Sequence, residues 1–318
     1  MPLRTPIIIT GASGFVGSNL LRRIIEKMPP KKVHVLLRKK SNIWRIADVL
    51  KKVQVHAADL RSREETDRIM RLVKPKIVFH LAAHGAYPYQ QHDENEIFET
   101  NVLGTFNLMS SASAAGCRAF INTGSSSEYG INQKPMSERD ALRPVTAYGV
   151  SKAFATLWGK YLALSRKAPI TTLRLFGVYG FYEPRGRLIP NIILSLLNGE
   201  KLMLNKPWFK RDFIFIDDVV DVYILAAKKS SSGLVLNIGS GKQASIKEVY
   251  SSLLGIIKVP AKPLWNKSRA DARDINRRIA DIALAKKYLG WKPKTGLDDG
   301  LRQTVNWFKK NLFLYDKQ

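Results

Sequence analysis

A chain of 318 residues with 45% hydrophobic content is long and apolar enough to bury a large core, which excludes a disordered or fibrous protein. Its apolar runs, such as Ile7-Ile8-Ile9, are far too short to span a bilayer, and a lone cysteine, Cys117, excludes a disulfide framework or a cysteine-built metal cluster. The net charge of +26 draws anions in general, but the basic residues are scattered in pairs such as Lys31-Lys32 and Lys309-Lys310, without a nucleic-acid motif, as on a solvated surface.

In chain order, Pro6 to Thr10 reads as a buried strand that runs straight into Gly11, with no cleavage-type segment of a leader. Phe15 to Lys27 is a helix, and strands are expected at Val33 to Leu37, Val53 to His56 and Lys76 to Leu81. Two more follow at Arg118 to Thr123 and Ile170 to Leu175, with helices between them. Such alternation implies an α/β protein with a parallel sheet covered on both faces. After Phe176 glycines and prolines crowd the chain, and helices are expected at Leu188 to Leu197, Asp217 to Lys229, Ser245 to Leu254 and Leu297 to Asn311. Leu234 to Ile238 is placed as a strand returning to the sheet. The expected architecture is a Rossmann-type, doubly wound domain over 1–177, rejoined by about 213–240. A smaller, discontinuous substrate-binding lobe occupies 178–318.

The segment Thr10-Gly11-Ala12-Ser13-Gly14-Phe15-Val16-Gly17 lies between the first strand and the first helix. Glycines there let the backbone turn sharply and approach a pyrophosphate seated on the helix N-terminus. Gly11, Ser13, Gly14, Phe15, Val16 and Gly17 are therefore candidate cofactor contacts. The second strand ends in Arg38-Lys39-Lys40-Ser41, with no acid to hold the ribose hydroxyls. A guanidinium at Arg38 can grip a 2′-phosphate, so NADP is expected ahead of NAD. No cluster has metal-ligand spacing.

Tyr148 and Lys152 stand four residues apart, on one helical face, and Ser125 lies just past the fifth strand, at the sheet edge where such folds bind ligands. A free phenol titrates too high to act as a base at neutral pH, but an ammonium and an oxidised nicotinamide nearby favour phenolate. That phenolate can exchange a proton with a substrate hydroxyl while hydride moves, with Ser125 bonded to the same oxygen. Val150, Phe154, Leu157, Tyr161 and Leu164 form an apolar stripe opposite the pair, while Ala155 and Gly159 beside it are small enough for close packing.

These motifs resemble the extended short-chain dehydrogenases/reductases, specifically the nucleotide-sugar epimerases, dehydratases and ketoreductases. The spacing Gly-x-x-Gly-x-x-Gly carries the likeness, with Asn101-Val102-x-Gly104-Thr105, Leu173 to Gly180, Arg211 to Val220 and Leu289-Gly290-Trp291-Lys292-Pro293. The resemblance implies catalysis by Ser125, Tyr148 and Lys152, an adenine contact at Asp59-Leu60, and a nicotinamide-ribose loop at Leu81-Ala82-Ala83. On the substrate side it implies His84, Tyr87, Tyr89, Ser126 and Arg187, with Arg211 on the nucleotide diphosphate. His84 has a structural role as its plainer alternative. It also implies a cytoplasmic homodimer joined through the helices around 93–115 and 147–165; the stripe packing within one chain is the alternative.

Two departures from the family stand out. Gly177 replaces an asparagine that contacts the diphosphate, and the C-terminal arginine pattern is shifted, leaving Arg269 or Arg273 as the phosphate clamp. The acid that 4,6-dehydratases carry two residues before Tyr129-Gly130 is Ser127 here, while Glu128, one residue off, is expected to point elsewhere. Dehydration is therefore disfavoured. Two reactions at C4 of a nucleoside-diphosphate sugar stay open: NADPH-dependent reduction of a 4-keto-deoxy sugar, as in the similar CDP-abequose and CDP-paratose synthases, and 4-epimerisation with tightly held NAD. The reading leans to reduction. A non-catalytic Rossmann sensor is the rival class, and retention of Ser125, Tyr148 and Lys152 weighs against it.

Overall fold

Burial at all four positions of Ile7–Thr10 (β1) places this strand at the centre of a sheet. The computed structural model describes residues 3–87, 90–132, 134–204, 206–260, 262–266 and 278–315. After β1 come α1 (Phe15–Lys27), β2 (Val33–Leu37), β3 (Gln54–Ala57), α2 (Arg63–Val73) and β4 (Ile77–His80). Then α3 (Glu94–Ile97) passes through a π-helical turn (Phe98–Leu103) into α4 (Gly104–Ala114), followed by β5 (Ala119–Ser125), α5 (Ala147–Arg166) and β6 (Ile170–Leu175). The rest comprises β7 (Gly177–Tyr179), α6 (Leu188–Asn198), β8 (Met203–Leu204), β9 (Lys210–Arg211), β10 (Phe213–Phe215), α7 (Ile216–Lys229) and β11 (Leu234–Ile238). It closes with β12 (Ala244–Ser245), α8 (Ile246–Ile257), β13 (Leu264–Trp265), α9 (Ala283–Leu289) and α10 (Leu297–Lys310).

Seven strands form one parallel sheet in the order β3-β2-β1-β4-β5-β6-β11. Because side chains alternate along a strand, Ile7 and Ile9 enter one core with α1 and α7, whereas Ile8, Val78 and Phe120 enter another with α2, α4 and α5. The strand order reverses beside β1, and the carboxyl ends of β1 and β4 open a crevice there. His80 holds that point closed. Its ring nitrogens meet Thr10 Oγ1 at 2.8 Å and Thr105 Oγ1 at 2.9 Å, and full burial pushes it down to about 3, so it stays neutral.

The strands expected from alternation all form, and their ends move by a residue or two. β11 does return to the sheet, beside β6. The C-terminal part stacks α6 and α10 on α8, and three short pairs (β7 with β10, β9 with β12, β8 with β13) carry its loops. Its apolar side chains are continuous with the α1/α7 core. Among the described residues no helix is long and apolar enough to cross a membrane.

The α5 stripe is not absorbed into this chain. Val150, Leu157 and Tyr161 are exposed, Leu164 is 86% exposed, and Phe98 and Leu103 on the neighbouring π-helical turn are exposed too. Trp158 of α5 meets Phe106 of α4 with ring centroids 4.9 Å apart and Tyr161 of its own helix at 5.0 Å. On the opposite side, the space for a Cβ at Gly159 lies 3.0 Å from Ile170 Cγ2, so α5 packs tightly on β6 there.

Candidate active site

A cavity of about 1190 Å³ runs along the crevice, lined at one end by Gly11, Ser13, Gly14, Phe15, Val16 and Gly17. Gly11 adopts φ +68°, and a Cβ there would sit 2.5 Å from Ala82 N, so the β1–α1 turn lies directly against the loop after β4. A Cβ at Gly17 would collide with the Gly11 carbonyl, which is why α1 can begin this close to the turn. No side chain caps α1 and no acid occupies its first turn, leaving its amides and dipole to an anionic ligand.

Arg38 lines the same end, half exposed, and pairs with Glu96 at 3.2 Å. The wall continues through Lys40, Ser41, Asn42, Trp44 and Arg45, none singled out from sequence as a contact. Arg45 stacks over the Trp44 ring at 4.2 Å and donates to the Ser13 carbonyl at 3.4 Å. Leu81 and Ala83 line the cavity, whereas Ala82 donates its amide to Thr10 Oγ1 behind it. Asp59 is paired with Arg61 at 2.7 Å, and Leu60 is packed under Gly104; neither lines the cavity.

At the centre, Ser125 ends β5 while Tyr148 and Lys152 rise from the first turns of α5, whose N-cap Thr146 accepts from Gly149 N at 3.0 Å. Gly149 is needed there, since a Cβ would lie 2.7 Å from Ser127 O. Burial pushes Tyr148 up to about 12, and the Ser125 hydroxyl beside it acts in the other direction. Burial likewise pushes Lys152 down to about 8, opposed by the charge of Glu128. Burial thus shifts both groups toward their neutral forms, although Lys152 at about 8 still carries its charge at neutral pH.

Glu128 explains how these three groups are held. It is fully buried, points away from the cavity, and accepts from Ser125 N (2.8 Å) with one oxygen. The other oxygen accepts from Thr156 Oγ1 on α5 (2.8 Å) and Arg174 Nε on β6 (2.7 Å). Arg174 in turn donates to Tyr129 Oη at 2.8 Å, which donates to Asn237 on β11 at 2.7 Å. Ser127, at the position of the dehydratase acid, does line the cavity, and it is a hydroxyl. Behind α5 the π-helical turn brings Asn101 to Ser151 Oγ (2.9 Å) and to the backbone of His84 (2.7 and 2.8 Å).

Of the expected substrate contacts, Tyr87, Ser126, Arg187 and Arg211 line the far end. Arg187 pairs with Glu183 at 3.2 Å, and burial pushes that carboxyl up to about 7. His84 does not line the cavity; its ring faces Glu96 at 3.5 Å, so it is the structural alternative that the geometry favours. Arg269, Arg273 and Tyr89 lie outside the described residues. Gly177 carries no side chain for a plain reason: a Cβ would sit 2.6 Å from Asp212 O, where β7 and β10 meet. Sequence reading missed Glu183 and Arg278 in the cavity wall; neither belongs to a local pattern that could have flagged it. Among the described residues no group of three or more His, Cys, Asp or Glu could hold a metal ion.

Residues 7–239 match the model of the NAD dependent epimerase/dehydratase family. A UDP-glucose 4-epimerase from Mycolicibacterium smegmatis is 28% identical over 309 residues, covering 95% of this chain and 98% of the relative. A dTDP-D-glucose 4,6-dehydratase from Mus musculus is 26% identical, covering 96% and 89%. The crystal structure of UDP-glucose 4-epimerase from Thermotoga maritima with UDP-glucose superposes with a TM-score of 0.89 at 28% identity, covering 96% and 99%.

Removing the charge that ties the site together has a large cost. Glu128→Gln is expected to lose about 3–5 kcal/mol in urea denaturation, because Arg174 stays buried without its partner; a loss below about 1 kcal/mol contradicts this role. For any nucleotide sugar that turns over, kcat/KM should fall above pH about 8, where the Lys152 ammonium of the free protein is lost. A profile flat to pH about 10, near the ordinary lysine value, would show that the ammonium is not buried as described.

Proposed function

This chain belongs to the NAD-dependent epimerase/dehydratase family, and we propose that within it Ser125, Tyr148 and Lys152 carry hydride and proton exchange at C4 of a nucleoside-diphosphate sugar, without dehydration. The observation that carries the proposal is the convergence of a serine hydroxyl, a phenol and an ammonium in one cavity with the glycine turn. A nicotinamide dinucleotide, when bound, supplies or accepts the hydride. Gly11, Gly14 and Gly17 clear the backbone for its pyrophosphate, and Lys152 would reach its ribose and favour the Tyr148 phenolate. Tyr148 then passes a proton to or from the C4 oxygen while Ser125 bonds that oxygen. Arg211 and Arg187 stand at the substrate end, suited to the diphosphate. Exclusion of dehydration rests on Ser127, whose hydroxyl titrates far too high for acid–base work, and on Glu128, which is committed to Arg174.

Net reduction of a 4-keto sugar by NADPH is the first reading. Arg38, Lys40 and Ser41 line the cofactor end and suit a 2′-phosphate, which would compete with Glu96 for Arg38. A second reading, 4-epimerisation with retained NAD, is favoured by the activity of the M. smegmatis relative. The exposed stripe of α5 supports a homodimer in which a second copy covers Val150, Leu157, Tyr161 and Leu164.

Denaturing the purified protein and identifying the released nucleotide separates the two reactions. The first reading predicts an empty protein that binds NADPH about tenfold or more tighter than NADH, a preference lost in Arg38→Ala. One NAD released per chain would instead establish a recycled cofactor and an epimerase. Leu157→Asp with Leu164→Asp should convert a dimer to a monomer in sedimentation equilibrium; a wild-type protein that is already monomeric contradicts the dimer.

A further inference from the structure

Arg278 is a guanidinium of the cavity wall that the proposed reaction leaves without a task. Its Nε is buried and has no hydrogen-bond partner, and Nη1 reaches only Ser127 Oγ at 3.4 Å. Among the described residues no carboxylate pairs with it. The charged and ionisable groups that act on it are a second guanidinium, Arg211, and the Tyr148 phenol; together with burial, Arg211 pushes it down to about 10. A buried guanidinium with no acid partner is unfavourable unless an anion of its own meets it.

Its backbone is fixed. Asp212 accepts from Ala280 N at 3.0 Å, Met136 N donates to Ile279 O at 2.9 Å, and Asp281 N donates to Met136 O at 2.9 Å. Asp212 is itself buried and also accepts from the amides of Ser240 and Gly241, so the loop bearing Arg278 is anchored before any ligand arrives. The guanidinium therefore stands prepared in the wall, beside the serine turn.

That position selects which part of a sugar nucleotide meets it. Ser127 lies two residues beyond Ser125, whose hydroxyl stands beside the Tyr148 phenol. In a hexopyranose the diphosphate leaves from C1, across the ring from C4, whereas C6 hangs from C5, the neighbour of C4. We propose that Arg278 binds a carboxylate at C6, so that the preferred substrate is a nucleoside-diphosphate hexuronate. This inference rests on the C4 reading and holds for reduction and epimerisation alike. It departs from the 6-deoxy sugar that the sequence resemblance suggested, since a methyl group at C6 would leave the guanidinium buried and unpaired. Ser126 and Ser127 supply hydroxyls on the same wall for the second carboxylate oxygen.

Calorimetric titration of the protein saturated with oxidised cofactor tests it. UDP, TDP, CDP and GDP are titrated first, then the glucuronate and the glucose of whichever base binds. The wild-type protein should bind the glucuronate about 10- to 100-fold tighter than the glucose, the range of a charge-assisted hydrogen bond. Arg278→Gln should erase that preference while leaving the affinity for the plain nucleoside diphosphate unchanged, and Arg278→Lys should keep part of it. Equal affinities for the two sugars in the wild type overturn the proposal. So does a loss of diphosphate affinity in Arg278→Gln equal to the loss for glucuronate, which would make Arg278 a phosphate clamp. Binding of none of the four diphosphates would overturn the nucleotide-sugar reading itself.

Discussion

The active cavity depends on one buried carboxylate. Glu128 touches the amide of Ser125, the hydroxyl of Thr156 and the guanidinium of Arg174, and so joins β5, α5 and β6 at a single point. Thr156 lies one turn beyond Lys152 on the same helix, so the distance from the serine to the tyrosine and lysine is set by bonds to one side chain. Burying such a pair is a poor source of net stability, because desolvation consumes most of its Coulomb attraction. Its value lies in geometry: breaking it leaves a charge stranded in the core, so no alternative packing competes.

The same burial that fixes the site also sets its electrostatics. Desolvation drives Tyr148 up and Lys152 down, away from the charged forms that the proposed proton exchange would use. A cationic nicotinamide beside the phenol would reverse that balance and so link readiness for chemistry to cofactor binding. Meanwhile Glu128 keeps some positive charge on Lys152 from a position where it cannot take a proton from substrate. Glu128, one residue from the position of the dehydratase acid, thus ties Ser125 to α5 and β6 from outside the cavity.

How much of this was legible in the sequence follows from the range of the interactions. The inner strands were readable because burial on both faces leaves apolar runs such as Ile7-Ile8-Ile9, and the glycine turn because Gly11 and Gly17 face backbone that no side chain could pass. Tyr148 and Lys152 were readable because a helical repeat brings them together. Arg278 was not, since what makes it unusual is the lack of a paired acid among the described residues around it, and that is invisible along the chain. His84 and Asp59 sat in the right segments, but local partners, Glu96 and Arg61, turn them aside. The shape of the Gly177 position also needed three dimensions, because the backbone that excludes a side chain there comes from Asp212.

In the proposed reaction hydride passes between a nicotinamide and sugar C4 under the control of Tyr148. Cofactor deuterated at the transferable position, supplied together with a 4-keto sugar nucleotide, tests this when the label in the product is located by nuclear magnetic resonance. Deuterium is expected at C4 of the sugar with the wild-type protein and essentially none with Tyr148→Phe. Label at another carbon, or equal labelling with the variant, would contradict it.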